Sequence, residues 1–384
     1  MRIALICETF LPDVNGVATT VCRILEHLRA EGHDALLFAP QGAPSRFADV
    51  EVVPLGGMPF PLYPELKLTP PQFGITANLR RFRPDLIHLV GPALLGASVP
   101  HLARNLRLPV LSSYHTDFGA YSHHYGLGFC KNLVNAYLRW IHNRCLFTLC
   151  PSTATLHSLR TIGFRRLKIW RRGVDTQRFH PRYRSEAWRR ATGLQPGETL
   201  LLYVGRIANE KRVDLLLDAL QGLSDARLVI VGDGPARLEL QRRAEGLPIH
   251  FTGYLKGQDL TTAYASADAF IFPSDTDTFG QVIQEAMASG LAIVGARSGG
   301  ALDLVRQGVT GYLFEPGVAS DLRAQLRHLI ADPDQLIAMG LAGRATAEQH
   351  SWFRIMDELM GYYSKVQRHA PVRRLLRRMR STRL

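Results

Sequence analysis

Thr199-Leu200-Leu201-Leu202-Tyr203-Val204-Gly205-Arg206-Ile207-Ala208-Asn209-Glu210-Lys211 begins as a short apolar run and breaks at a glycine-led turn. A helical pattern follows near Val213–Gln221, so the stretch reads as the first strand and helix of an α/β unit. The alternation continues through strands Ala226–Val231, Ile249–Thr252, Asp268–Phe272, Leu291–Val294 and Gly311–Phe314. Helices near Pro235–Glu245 and from Gly280 to Ser289 lie among them, and helical stretches near Ser320–Ala331, Gln335–Gln349 and Trp352–Gln367 complete the pattern. Near-continuous apolar strands alternating with helices predict a parallel sheet covered by helices on both faces.

Towards the N-terminus the same grammar recurs. Strands are expected at Arg2–Glu8, Asp34–Ala39, Val50–Pro54, Asp85–Val90, Pro109–Ser113, Leu146–Cys150 and Leu167–Trp170, with a helix from Val17 to Ala30 that stops at Gly32. Between Val174 and Glu198 the pattern loosens into a polar, Arg-rich connection containing Pro181, Gly193, Pro196 and Gly197, which places the domain boundary there. A chain of 384 residues is long enough for two domains of roughly 150–200 residues each. The expected fold is therefore α/β, with two Rossmann-like domains, 1–178 and 179–364, facing each other across a cleft. A C-terminal helix and a basic amphipathic tail, 365–384, follow. The halves share an architecture but no sequence repeat, which excludes a short-period solenoid.

Hydrophobic residues at 46% and charged residues at 21% are the balance of a globular protein. Cys7, Cys22, Cys130, Cys145 and Cys150 are odd in number, lack C-x-x-C spacing and sit in apolar stretches, as buried thiols of a reducing compartment do. The N-terminal apolar run is only about five residues long, and no later run reaches ~18, so neither a signal peptide nor a spanning helix is expected. The chain is expected to be cytoplasmic and peripheral on the inner face of the membrane. Its net charge of +13 is uneven: residues 1–178 hold 20 Lys+Arg against 11 Asp+Glu, residues 179–364 hold 18 against 22, and residues 365–384 hold 8 against none. That asymmetry suggests an anionic partner, phospholipid or nucleic acid, that meets the first domain and the tail. The acidic second domain argues against a general nucleic-acid cradle, although a nucleic-acid-binding protein stands as the rival class.

Five segments carry candidate chemistry. Phe10-Leu11-Pro12-Asp13-Val14-Asn15-Gly16-Val17 joins a strand to a helix, where Gly16 either lets backbone N–H groups approach an anion or only serves a tight turn. In the opening stretch, Arg206 and Lys211 straddle a turn at a helix start and can converge on a diphosphate, the former as a planar fork and the latter as a mobile point charge. Read blandly, they are solvated surface cations. Val231-Gly232-Asp233-Gly234-Pro235 offers a nucleotide contact at Gly232 and Gly234, or merely a turn into a helix begun by Pro235. The run Pro273-Ser274-Asp275-Thr276-Asp277-Thr278-Phe279-Gly280-Gln281-Val282-Ile283-Gln284-Glu285-Ala286-Met287-Ala288-Ser289-Gly290 reads strand, polar loop, helix and stop. Asp277 in the loop can grip sugar hydroxyls or act as a helix cap; Glu285 on the helix can hold a ribose diol; N–H groups near Gly280 can meet phosphate. His115, in Ser113-Tyr114-His115-Thr116-Asp117, ends a strand on the ligand-facing edge. With Asp117, His123 and His124 it could form a metal site, but Arg206 and Lys211 are already available for the phosphates.

The ordered set of Gly16 loop, Gly205-Arg206…Lys211 and an acid-x7-Glu motif resembles the family-4 (group 1) retaining glycosyltransferases of the GT-B fold, over nearly the whole chain. The resemblance implies that Asp277 orients the donor sugar, Glu285 binds the ribose, Arg206 and Lys211 hold the diphosphate, and backbone near Gly16 approaches it. It implies that His115 faces the donor sugar, and Leu255, Phe279 and Gly280 are grouped with the donor-binding residues. The family usually has Glu where this chain has Asp277, which leaves the reach of that carboxylate open. Pro92-Ala93-Leu94-Leu95-Gly96, the aromatic and glycine-rich run 118–129 and Arg172-Gly173-Val174-Asp175 most resemble bacterial glycolipid-forming enzymes, including mannosyltransferases. The implied reaction moves a hexose from GDP-mannose or a UDP-sugar to a membrane lipid such as diacylglycerol or a glycolipid, without a metal or other cofactor; a polysaccharide precursor is the alternative acceptor. Tyr121, Tyr125, Lys131 and Arg139 would then face acceptor or membrane, and Arg373, Arg374, Arg377 and Arg378 would meet anionic headgroups.

Overall fold

The computed structural model describes residues 1–13, 15–60, 63–68, 73–92, 95–115 and 131–381. Two compact units emerge: Met1–Arg171 together with Phe353–Leu384, and Arg172–Trp352.

In the first unit the strands are β1 (Arg2–Cys7), β2 (Asp34–Pro40), β3 (Arg46–Phe47), β4 (Val50–Leu55), β5 (Met58–Phe60), β6 (Tyr63–Leu68), β7 (Leu86–Val90), β8 (Val110–Ser113), β9 (Thr148–Cys150) and β10 (Leu167–Ile169). Eight form one sheet in the order β10-β9-β8-β7-β1-β2-β4-β3, parallel except where β3 meets β4. Strands β5 and β6 pair as a separate antiparallel hairpin that the apolar pattern does not announce. From β1 the chain runs outward through β2 and β4, then returns to β7 on the other side of β1. The direction of winding reverses there, so ligand-facing loops are expected beyond the carboxyl ends of β1 and β7. One face of this sheet buries Ala4, Ile6, Phe38, Ile87 and Leu89 in a common core.

The last helix, Trp352–Ser381, is continuous, and residues from Phe353 onward belong to the first unit. The expected boundaries, 179–364 for the second domain and 365–384 for a separate tail, are therefore corrected: the division falls after Arg171 and again after Trp352. The cause is packing. Trp170 donates its indole N–H to Ile355 O at 2.9 Å, Tyr362 donates to Ile169 O at 2.7 Å, and Tyr363 and Val366 are wholly buried.

In the second unit β11 (Thr199–Val204), β12 (Ala226–Val231), β13 (Ile249–Gly253), β14 (Ala269–Phe272), β15 (Ala292–Ala296) and β16 (Gly311–Phe314) form a sheet in the order β13-β12-β11-β14-β15-β16, every pair parallel. Alternate residues serve opposite faces, as the strand period requires. Leu201, Tyr203, Leu228, Ile230, Ile271 and Val294 enter one core, while Leu200, Leu202, Val229, Phe270, Phe272 and Ile293 enter the other. Winding reverses between β11 and β14, so their carboxyl ends frame the crevice of this unit.

Candidate active site

Both loops at that crevice carry predicted residues, and the fold brings them together. The turn after β11 becomes a short 3-10 helix, Asn209–Lys211, and the loop after β14 carries Asp277. Lys211 Nζ donates to both carboxylate oxygens of Asp277 at 2.8 Å, with the two side chains 17% and 25% exposed. Thus Asp277 and Lys211 form a forked pair that still meets solvent. Arg206 Nη1 lies 3.7 Å from Oε1 of buried Glu210, which turns the guanidinium along the same loop. Backbone contacts fix the geometry: Tyr203 OH donates to Arg206 O at 2.9 Å, Thr276 Oγ1 to Glu210 O at 3.2 Å, Gly300 N to Asp277 O at 3.1 Å and Ser298 Oγ to Asp275 O at 2.8 Å.

Arg172 joins this group, although the resemblance carried by Arg172-Gly173-Val174-Asp175 assigned it no role of its own. It is buried, and burial pulls its guanidinium down to about 10 while the nearby Asp277 carboxylate acts in the opposite sense. A desolvated cation close to Asp277 adds positive potential where an anion would bind.

Gly280 has φ +81 and begins the helix Gln281–Ala288, whose first turn no side chain caps among the described residues. Its N–H groups therefore point into the loop region. Phe279 is buried in the core below, a packing role rather than an exposed contact. Glu285, one turn further along the helix, accepts a hydrogen bond from Tyr264 OH at 2.9 Å. Burial pushes its carboxyl up to about 7, against the lowering effects of the Tyr264 hydroxyl and Arg178. Tyr264 is the second residue that sequence reasoning missed: it sits in the helix Gly257–Ser266, far from Glu285 in the chain.

In the role expected for Glu285, accepting from two ribose hydroxyls, the ionised carboxylate is the form that binds. With its value raised to about 7, Glu285 is largely protonated at pH 6 and ionised at pH 8. Donor KM is accordingly expected to fall as pH rises from 6 to 8 and to level off above that, and Glu285→Gln should flatten the profile; initial rates across the range check this.

Gly232 and Gly234 have φ +136 and +159, and a Cβ on either would overlap the carbonyl oxygen of Gly205 or Ile207. The two loops are also hydrogen-bonded, Gly205 N to Val231 O at 3.0 Å and Ile207 N to Asp233 O at 2.9 Å. Close approach of the protein's own backbone thus accounts for both glycines, which let the Gly205–Ile207 turn pack against them. Leu255 follows β13 and packs half-buried against the core.

In the first unit Gly16 opens the helix Gly16–Ala30, and Asn15 Oδ1 accepts from Val17 N and Ala18 N, so those two N–H groups are engaged by the cap. His115 lies just past β8, buried, with Nε2 2.7 Å from Ser113 Oγ. On the helix Lys131–His142 Lys131 is exposed, whereas Arg139 donates to Ile162 O at 3.0 Å and so ties the helix to the next loop. Tyr121, Tyr125, Asp117, His123 and His124 lie outside the described residues, as do the side chains of Arg373, Arg374, Arg377 and Arg378. The backbone of those four arginines belongs to the last helix. Cys7, Cys145 and Cys150 are buried free thiols, pushed up by burial.

Comparison with known proteins agrees with this architecture. Residues 14–178 match the model Glycosyltransferase Family 4 and residues 184–346 match Glycosyl transferases group 1. A GDP-mannose-dependent alpha-mannosyltransferase of Corynebacterium glutamicum is 38% identical over 95% of this chain and 89% of its own length. An alpha-monoglucosyldiacylglycerol synthase of Streptococcus pneumoniae is 28% identical over 87% of this chain and 79% of its own. Among solved structures, sucrose-phosphate synthase from Thermosynechococcus elongatus superposes with a TM-score of 0.80 at 21% identity, covering 95% of this chain and 98% of that one, which is a likeness of fold. With Lys211 paired to Asp277 across the loops that follow β11 and β14, and with both halves matching, the chain belongs to the family-4 (group 1) glycosyltransferases of the GT-B fold.

Proposed function

We propose that this glycosyltransferase moves a hexose, in the first instance mannose from GDP-mannose, onto a hydroxyl of a membrane lipid with retention at the anomeric carbon. The observation that carries the donor half is the forked Lys211–Asp277 pair beside Arg206 at the sheet's switch point. As the bond between the anomeric carbon and the diphosphate breaks, charge grows on the leaving phosphate oxygens. Arg206 and Lys211 stabilise that charge in a partly desolvated crevice, Asp277 accepts from sugar hydroxyls, and Glu285 holds the ribose. In same-face attack the acceptor oxygen bonds to the anomeric carbon and its proton passes to the departing phosphate. These cations meet the diphosphate in place of a metal ion, so transfer should proceed undiminished in EDTA; a rate abolished by EDTA and restored by a divalent ion would overturn this.

The name of the Corynebacterium relative supports the donor, and that of the Streptococcus relative supports a diacylglycerol-type acceptor. Among the described residues no helix is long and apolar enough to cross a membrane. The helix Lys131–His142 instead exposes Leu133 (72%) and Trp140 (43%), two turns apart on one stripe, and Arg144 stacks 3.8 Å from the centre of the Trp140 ring. An apolar body beside cations suits the interfacial region of an anionic bilayer, and we place the enzyme peripherally on the cytoplasmic face. Deleting residues 371–384 should lower activity on anionic vesicles more than on a soluble acceptor; equal loss on both would remove the tail from membrane docking. The whole reading is tested by offering GDP-mannose and UDP-sugars with diacylglycerol or glycolipid vesicles and weighing the product. A hexosylated lipid made from GDP-mannose is expected, and product only on a water-soluble saccharide would favour the polysaccharide-precursor alternative.

A further inference from the structure

His115 stands at one end of a line of hydrogen-bonding groups gathered from distant parts of the first unit. Tyr363 comes from the last helix, His88 from β7 and Ser113 from β8. Tyr363 OH lies 2.8 Å from His88 Nδ1, His88 Nε2 lies 2.9 Å from Ser113 Oγ, and Ser113 Oγ lies 2.7 Å from His115 Nε2. Trp170 presses on both imidazoles, its ring centre 6.2 Å from that of His88 and 6.4 Å from that of His115. All five side chains are buried.

The hydrogens in such a line can be counted. The phenol, the serine and a neutral imidazole each bring one hydrogen to it, and burial keeps His88 neutral by pulling it down to about 3. In one direction every hydrogen finds an acceptor: Tyr363 O–H to His88 Nδ1, His88 Nε2–H to Ser113 Oγ, and Ser113 O–H to His115 Nε2. Reversal would send His88 Nδ1–H to the phenol oxygen and leave the phenolic hydrogen without an acceptor among the described residues, a cost that a buried hydroxyl does not bear cheaply. We propose that Tyr363, His88 and Ser113 are positioning residues that lock His115 in the tautomer carrying its hydrogen on Nδ1, with Nε2 turned to Ser113. His115 then bears a donor suited to an oxygen acceptor such as a sugar hydroxyl. The returning helix supports the catalytic edge of the first unit through Tyr363, which gives the last helix a task besides packing. This inference rests on the reading that His115 meets substrate.

Nitrogen-15 NMR of the histidine-labelled full chain tests it. Wild type should show His115 as the Nδ1–H tautomer, while Tyr363→Phe and Ser113→Ala should give a tautomer mixture with kcat reduced roughly tenfold, the worth of about one hydrogen bond, and donor KM within about twofold. Ser113→Thr, which keeps the hydroxyl, should restore both readouts. An Nε2–H tautomer in wild type, or an unchanged tautomer in both Tyr363→Phe and Ser113→Ala, overturns the relay. The substrate reading has its own check: a fully active His115→Ala would remove His115 from substrate contact whatever the tautomer, whereas a crippled His115→Ala with unshifted tautomers would sink the relay alone.

Discussion

Lys211→Ala is expected to lower kcat/KM for sugar transfer by at least about a hundredfold, the range seen when a preorganised stabiliser of developing negative charge is removed. Two effects combine. The mobile cation that would follow the leaving diphosphate is lost, and Asp277, which receives both of its short hydrogen bonds from Lys211 Nζ, becomes a carboxylate without that counter-ion beside an anionic ligand. The second effect has a signature that a simple loss of charge does not. The double variant Lys211→Ala, Asp277→Ala removes the repelling carboxylate, so its affinity for the nucleoside diphosphate should be higher than that of Lys211→Ala alone. Such non-additivity is expected of residues in direct contact. Lys211→Arg should not rescue fully, because a rigid planar fork cannot reproduce the reach of a flexible ammonium.

Asp277→Asn is expected to reduce transfer by about a hundredfold while the protein remains folded. The loop that carries Asp277 is held by its backbone: Gly300 N donates to Asp277 O, Ser298 Oγ to Asp275 O, and Thr276 Oγ1 to Glu210 O. None of these contacts uses the carboxylate, so the loop should keep its course in the neutral isostere, and the lost charge of the partly exposed Lys211 pair should lower the thermal midpoint by a few degrees at most. Binding of the nucleoside diphosphate should be retained or improved, since a negative charge has gone, and the deficit should appear in kcat. Asp277→Glu keeps the charge and lengthens the arm, and it should fall between wild type and Asp277→Asn. An Asp277→Asn enzyme with near-normal kcat would show that the acid does not grip the donor sugar.

Much of this was legible in the chain itself because the signals are local. Strands such as Thr199–Val204 and Ala269–Phe272 run straight into loops that carry Lys211 and Asp277, so strand, turn and candidate chemistry lie in one short window. What was hidden is what depends on pairing across the chain. The neighbourhood of β11 and β14 fixes the meeting of Lys211 with Asp277, and no local pattern reports it. Arg172 reads as one more cation among Lys168, Arg171 and Arg178 until its burial beside Asp277 is seen. Tyr264 looks like core, and it is core, yet its hydroxyl reaches Glu285. Gly232 and Gly234 resemble a nucleotide turn, but the nearest obstacle to a side chain there is the Gly205–Ile207 backbone. The domain boundary was misplaced because helical periodicity shows that Trp352–Gln367 is a helix, not which sheet it covers; that choice is made by Trp170, His88 and their partners on the last helix.

The central claim is that Arg206 and Lys211 bind the donor's diphosphate in the crevice of the second unit. Calorimetric titration of GDP into the full chain and into Arg206→Ala and Lys211→Ala, each shown to be folded, tests it most directly. The account predicts binding by wild type and a loss of at least about tenfold in each variant, the worth of one charge-assisted hydrogen bond. Undiminished affinity in both variants would contradict it.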